Sequence, residues 1–132
     1  MSEDAFEVWL IWWKGAEKLP VHWSIFMCLV EATIGNKYDV EVPDTPFKPR
    51  WRFAYEENFD MVTAEGVAGK SKFGTIGDPG EFEGILRRTK LPVMDSENCQ
   101  DWVWRVIREG VDKGLLKRDS LQRLEKVPRL QM

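Results

Sequence analysis

The sequence predicts an α+β domain in which an antiparallel sheet packs against a helix near the end of the chain. Strand-like runs of apolar, aromatic and β-branched residues come first, at 6–13 and 21–30. The clearest helical pattern comes late, after Ser96, where apolar residues recur three and four positions apart. Strands that precede the main helix, rather than alternating with helices, favour an antiparallel sheet.

Length and composition predict one domain over residues 1–132. Seven Trp, seven Phe and two Tyr supply the apolar volume of a core. The two cysteines, Cys28 and Cys99, exclude a disulfide framework, and with a single histidine they offer no ligand spacing for a metal. We therefore expect no metal and no cofactor. A net charge of −3 with interspersed signs argues against nucleic acid as a partner.

The first residues of the sequence indicate a cytoplasmic protein. The first four residues, Met-Ser-Glu-Asp, end in two acidic residues, whereas a secretory signal begins with basic residues. The apolar run from Val8 to Trp13 is too short for a signal sequence or a membrane span. We expect no membrane span elsewhere in the chain.

The first two strands carry the most informative patterns. The strand at 6–13 is apolar on both faces, which predicts a central position in the sheet. In the strand at 21–30 the odd positions are apolar, while the even positions begin polar with His22 and Ser24 and then become apolar. We expect the apolar part of this second face to pack against the late helix: Phe26, Cys28 and Val30.

Turn residues divide the middle of the chain. Gly35-Asn36 predicts a turn before a short strand at 37–42, and prolines then predict a loop over 43–49. Strict alternation predicts a half-buried strand at 51–55. A glycine-rich, flexible connection follows, with one short strand at 72–76.

Three helices are predicted in the last third of the chain. A short one covers 81–88, and a last one covers 120–126. The main helix begins at Ser96 as N-cap and ends before Gly114. Its apolar positions form one stripe: 99, 102, 103, 106, 107 and 111.

A phosphate-loop pattern at 64–71 is a weak signal. Such a loop needs a helix directly after its Lys-Ser pair, so that backbone amides face the phosphates. Here the glycine- and proline-rich segment 73–80 follows, which cannot form that helix. We interpret 64–71 as a surface loop.

Cys99 and His22 are the two residues that predict a catalytic site. With Ser96 as cap, Cys99 is the third helical residue, where unpaired amides and the helix dipole favour a thiolate. His22 is the only histidine, and imidazole titrates near neutral pH. Together they are the two parts of an activated thiol nucleophile, which also requires a third polar group to orient the ring. The alternative is that both residues are purely structural. Cys99 would then be a small apolar residue of the core, and His22 a strand residue whose hydrogen bonds are satisfied within the fold.

Two short motifs resemble a known family. Residues 22–26, His-Trp-Ser-Ile-Phe, resemble the histidine strand of the lecithin:retinol acyltransferase-like group, and residues 98–103, Asn-Cys-Gln-Asp-Trp-Val, resemble its cysteine helix. This group is the circularly permuted branch of the NlpC-type, papain-like cysteine enzymes. The chain is also similar to small fungal proteins that share these motifs and a Gly-x-Lys-x-x-Val strand. The resemblance covers about residues 6–116.

The resemblance implies a permuted papain-like fold with Cys99 as nucleophile and His22 as base. The third position of the triad falls on Asp39, where the family pattern more often carries a second histidine. Four residues beside the pair are predicted to contact substrate, the two tryptophans by walling an aromatic cleft: Trp23, Ser24, Asn98 and Trp102.

The predicted function is acyl chemistry by a small cysteine enzyme. It would hydrolyse or transfer an acyl group at an amide, ester or thioester of a small-molecule or peptide substrate. Phospholipid acyl transfer does not carry over, because residues 124–132 are polar and basic where membrane-acting members have an apolar anchor. The alternative is a non-covalent small-molecule pocket, such as a cyclase or binding protein of fungal secondary metabolism, or a protein-binding domain without catalysis.

Overall fold

The computed structural model describes residues 5–15, 20–42, 50–94 and 96–129. The predicted α+β class is confirmed: within these residues five strands precede three helices. In chain order they are β1 (Phe6–Trp13), β2 (Trp23–Leu29), β3 (Ile34–Glu41), β4 (Arg52–Asp60), β5 (Val67–Ile76), α1 (Pro79–Arg88), α2 (Cys99–Asp112) and α3 (Asp119–Glu125). The loop predicted at 43–49 lies outside the described residues.

All five strands join one antiparallel sheet, in the order β4-β3-β2-β1-β5. Strand β1 lies inside the sheet, as predicted, paired on one side with β2 and on the other with β5. Its side chains are buried on both faces, Val8 and Leu10 towards the main core and Ile11 towards a second cluster. A strand that is apolar on both faces gains most from such an internal position.

The three helices cover one face of the sheet. Trp23 and Ile25 of β2 and Trp102 and Val106 of α2 meet there in the main core. This corrects the expected orientation of β2, because its odd face, and not its even face, packs against α2. The even face joins a smaller cluster on the opposite side of the sheet, made of Ile11, Phe26, Cys28, Phe59 and Met61.

The glycine-rich segment forms a longer strand than predicted. Strand β5 begins at Val67 rather than at residue 72, so most of the phosphate-loop pattern at 64–71 is strand and not surface loop. Gly69 pairs with Trp12, and the Trp12 indole lies over it so closely that a Cβ would overlap the ring. Glycine here provides room for a neighbouring strand and does not signal flexibility.

Gly35-Asn36 does not form the predicted turn but lies within β3. Gly35 lies beside the Met27 carbonyl, and a Cβ there would collide with it. The chain reverses earlier, at Val30 and Glu31, where Glu31 has a left-handed φ of 67°. The Glu31 N–H donates to the Glu7 carboxylate at 3.2 Å, which helps to hold this conformation.

No helix within residues 5–15, 20–42, 50–94 and 96–129 is both long and apolar enough to cross a membrane.

Candidate functional site

The cysteine-bearing helix begins at Cys99, because Asn98 is its N-cap. The Asn98 side chain accepts a hydrogen bond from the Gln100 N–H at 2.9 Å, and the Asp101 carboxylate accepts one from the Asn98 N–H at 2.8 Å. This reciprocal capping box replaces the predicted cap at Ser96. Cys99 is therefore the first helical residue rather than the third, so its backbone N–H has no acceptor within the helix.

The Cys99 thiol contacts the backbone on both sides of His22. Its Sγ accepts a hydrogen bond from the Trp23 N–H at 3.5 Å and lies 3.9 Å from the Val21 carbonyl oxygen. The side chain is buried, with 4% of its surface exposed. The start of α2 and the start of β2 thus meet at the sulfur atom.

Asp39 lies on β3 and binds the His22 ring from the other side. His22 Nε2 is 3.3 Å from Asp39 Oδ2, and the same oxygen accepts hydrogen bonds from Ser24 Oγ at 2.9 Å and Lys37 Nζ at 3.1 Å. Asp39 is 5% exposed, whereas the His22 side chain is 41% exposed. A buried carboxylate with three donors is well suited to orient a partly exposed ring.

The electrostatic environment favours a protonated His22. Burial opposes the charged ring, but hydrogen bonding to Asp39 and Cys99, together with the charges of these two groups, raises the pKa of His22 to about 9. Burial likewise opposes the Asp39 carboxylate, yet His22, Lys37 and Ser24 together lower the pKa of Asp39. The Nε2 atom of the ring faces Asp39 Oδ2 and also lies 3.4 Å from Ser24 Oγ.

Lys37 also binds Asp39, from the same face of the sheet, because the two are alternate residues of β3. Its ammonium group also lies 3.8 Å from a Glu56 carboxylate oxygen and 5.5 Å from the centres of both the Trp13 and Phe59 rings. The Trp13 indole N–H in turn donates to Ser24 Oγ at 3.0 Å. Asp39 therefore belongs to a larger network of charged, hydroxyl and aromatic groups.

Each residue predicted to contact substrate has a contact within the protein. Trp23 and Trp102 are fully buried in the main core, and the Trp23 indole N–H donates to the Pro128 carbonyl at 2.9 Å. Ser24 is fully buried in the Asp39 network, and Asn98 caps α2. The structure therefore places the two tryptophans in the core and Asn98 at the helix start. Ser24 Oγ lies 3.4 Å from the His22 ring. Contact of these four side chains with substrate stays a prediction.

Gln100 is a site residue that sequence reasoning missed. Its Nε2 donates to the Val21 carbonyl at 2.7 Å and to the Arg129 carbonyl at 2.9 Å. The only signal in the sequence was its place directly after Cys99. Both of its acceptors are backbone atoms, which no side-chain pattern reveals.

A cavity of about 500 Å³ lies away from the cysteine–histidine pair. It follows the outer edge of β5, between that strand and α3. Its charged lining residues are Lys72, Lys117, Asp119 and Arg123. Neither Cys99 nor His22 lines it, so it is not the site of the chemistry predicted for that pair.

Comparison with known proteins gives a family assignment. No curated protein and no solved structure matches the chain significantly. One family model does match, a family of unknown function designated DUF6540, over residues 8–117. The matched range contains His22, Asp39 and Cys99. The chain therefore belongs to the DUF6540 family.

Proposed function

We propose that this protein is a cysteine-dependent acyl hydrolase or acyltransferase with Cys99 as nucleophile, His22 as proton carrier and Asp39 as the group that orients the ring. The observation that carries this proposal is the meeting of three groups. His22 Nε2 lies 3.3 Å from Asp39 Oδ2, and Cys99 Sγ, at a helix start, lies 3.5 Å from the Trp23 N and 3.9 Å from the Val21 O, the backbone on both sides of His22. A thiol, an imidazole and a buried carboxylate in this order are the parts of an activated cysteine nucleophile.

The reactive form of the pair is a Cys99 thiolate beside a His22 imidazolium, formed when the thiol passes its proton to the ring. Cys99 Sγ attacks the carbonyl carbon of an amide, ester or thioester and forms a carbon–sulfur bond. The developing oxyanion is stabilised by the Cys99 backbone N–H, which points away from any intrahelical acceptor, and by the dipole of α2. His22 then donates its proton to the leaving nitrogen, oxygen or sulfur as the bond to it breaks. The product is a thioester on Cys99.

The deacylation step restores the resting state. Neutral His22 accepts a proton from water, or from an amine or alcohol acceptor, as that group attacks the thioester carbonyl. The carbon–sulfur bond breaks, and the thiolate is released beside the re-formed imidazolium. Asp39 stays ionised throughout, because its lowered pKa keeps it a carboxylate at neutral pH.

A permuted papain-like arrangement fits the order of these residues. His22 immediately precedes β2, Asp39 lies on the neighbouring strand β3, and Cys99 begins the helix that packs against the same sheet. In chain order, histidine and acid precede the cysteine, as in the enzymes that the two sequence motifs resemble. This arrangement supports the proposal independently of the short motifs.

Differential cysteine labelling tests the proposal. Cys99 exposes only 4% of its surface, so a small electrophile such as iodoacetamide is the appropriate reagent. At neutral pH we expect rapid alkylation of Cys99 and none of Cys28, which is 1% exposed and whose pKa burial raises to about 11. His22→Ala should slow alkylation of Cys99. Equally slow labelling of both cysteines in the native protein would contradict the proposal.

Trapping of an acyl intermediate tests the chemistry itself. We expect small aryl esters and thioesters to add one acyl mass to the peptide that contains Cys99, measured by mass spectrometry after acid quenching. Cys99→Ala should abolish this adduct, while Cys28→Ala, the matched control, should retain it. An adduct that survives Cys99→Ala would exclude Cys99 as the nucleophile.

The cavity along β5 favours a second candidate function, non-covalent binding of a small anionic ligand. Three cationic side chains line this cavity of about 500 Å³, a volume typical of small-molecule pockets. Lys72 pairs with Glu7 at 3.1 Å and Arg123 with Asp119 at 3.5 Å, so Lys117 is the side chain expected to supply the charge for a ligand. Inorganic phosphate and small dicarboxylates should then raise the melting temperature of the native protein and of Cys99→Ala equally. Lys117→Gln should abolish that increase, and no increase with either ligand would contradict this function.

A further inference from the structure

The Gln100 side chain joins three separate segments of the chain. Both of its hydrogen bonds come from Nε2, to Val21 O at 2.7 Å and to Arg129 O at 2.9 Å. The Val21 N–H also donates to Arg129 O, at 2.9 Å. One amide group thus connects the start of α2, the residue before His22 and a segment close to the end of the chain.

The residue after His22 is held by the same two segments, the start of α2 and residues 128–129. The Trp23 indole N–H donates to Pro128 O at 2.9 Å, and the Trp23 backbone N–H donates to Cys99 Sγ at 3.5 Å. Residues 21 and 23 are therefore both fixed to the start of α2 and to residues 128–129. The His22 ring itself contributes none of these bonds. The ring is held by Asp39 Oδ2 at 3.3 Å and the His22 carbonyl by the Trp13 N–H at 3.0 Å, while residues 21 and 23 fix the His22 segment against α2.

We propose that Gln100 is a positioning residue that, together with the backbone carbonyl of Arg129, fixes the His22 segment against Cys99. This inference rests on the proposed function, since it concerns the same pair, and it adds the segment 128–129 to the site. Gln100 does not touch the reacting atoms. It acts through Val21 on the position of the imidazole relative to the thiol.

The geometry explains why loss of this amide affects the pair more than the fold. Gln100 is partly exposed, whereas the core residues of α2 are buried. If the two N–H donors of the Gln100 amide are lost, Val21 O and Arg129 O no longer share a partner. The start of β2 is then less firmly joined to α2. Proton transfer between thiol and imidazole is sensitive to displacements of a fraction of an ångström.

The substitution Gln100→Met tests this role. Methionine keeps the length and helix propensity of glutamine but has no donor. Gln122→Met, on the exposed surface of α3, is the matched control. Two measurements are made on each folded protein: the alkylation rate of Cys99 as a function of pH, and the titration of the His22 ring by NMR.

We expect Gln100→Met to slow alkylation of Cys99 at neutral pH by about tenfold. The pKa of His22 should fall below about 9, because the ring loses its fixed contact with Cys99 while its contact with Asp39 remains. Cys28 should stay unlabelled, and Gln122→Met should match the native protein in both measurements.

The possible failures are distinguishable. An unchanged rate and an unchanged His22 titration would overturn the role of Gln100 and leave the proposed function standing. Faster alkylation of Cys99 with an unchanged titration would also overturn it, since Gln100 would then only shield the sulfur. If Cys99 of the native protein is unreactive, the proposed function fails, and the His22 titration of Gln100→Met alone decides whether Gln100 positions the ring.

Discussion

Ser24 donates a hydrogen bond to Asp39 at 2.9 Å while its own oxygen accepts one from the Trp13 indole at 3.0 Å. This fully buried hydroxyl connects the carboxylate to strand β1. Asp39 is thus held by the sheet itself, and the His22 ring meets a carboxylate that is already in place. Such preorganisation lowers the cost of orienting the ring during a reaction.

Asp39→Asn should lower the pKa of His22. The amide has nearly the same shape as the carboxylate but carries no charge, so the pKa of His22 should fall from about 9 towards 6.5. NMR titration of the single histidine measures this directly. Glu41→Gln is the matched control on the same strand, because its carboxylate is exposed and pairs with Arg52. An unchanged His22 pKa in Asp39→Asn would contradict the assignment of Asp39 as the orienting group.

Lys37→Met should raise the pKa of His22 further. Lys37 Nζ and His22 Nε2 share Asp39 Oδ2 at 3.1 and 3.3 Å, so the lysine charge repels the imidazolium. Removing that charge leaves Asp39 Oδ2 with the histidine ring and the neutral Ser24 hydroxyl. The same NMR titration checks the direction of the shift, with the exposed Lys70→Met as control. A decrease would mean that Lys37 matters chiefly for placing Asp39.

The stability of the protein should fall as the pH rises through the titration range of His22. Its pKa is about 9 in the folded protein and 6.5 ordinarily, so the folded state binds the proton more tightly. The resulting stabilisation is fully present below pH 6.5 and is lost as the pH rises through about 9. Urea unfolding at both ends of this range measures it. In His22→Gln the loss across the same range should be smaller, and an equal loss would exclude His22 as its source.

Gly69→Ala should destabilise the fold by about 1–3 kcal/mol, because the added methyl group overlaps the Trp12 indole. Gly77→Ala is the control, since a Cβ there meets nothing within 4 Å. It should change the free energy of unfolding by about 0.5 kcal/mol or less. Urea unfolding of the two variants compares them, and equal effects would show that the Trp12 ring moves aside without cost.

Local sequence predicted those elements whose residues determine their own conformation. Strand β1 has the predicted bounds, because aromatic and β-branched residues fill both of its faces. Strand β5 begins five residues earlier than predicted, and the reason lies on another strand: Gly69 makes room for Trp12. The glycines of β5 resembled a flexible connection because nothing local showed what they accommodate.

The closeness of the His22 segment to Cys99 was predicted to a similar extent, and the catalytic role of the two residues stays a prediction. The residue types at Cys99 and His22, together with two short motifs, were sufficient to single out the pair. The cap was misplaced by two residues, because Ser96 and Asn98 are both good N-caps and only Asn98 has its reciprocal bond with Asp101. The role of Gln100 could not be predicted, since its acceptors are backbone atoms 79 and 29 residues away.

The hydrogen bonds around Val21 and Trp23 also set an order of events during synthesis. Their partners on α2 and at residues 128–129 follow them by 76 to 108 residues, so a ribosome exposes β2 long before these partners exist. The His22 segment acquires its complete set of bonds only after residue 129 has emerged. A nascent chain therefore fixes the His22 segment against the start of α2 in full only after residue 129 has left the ribosome.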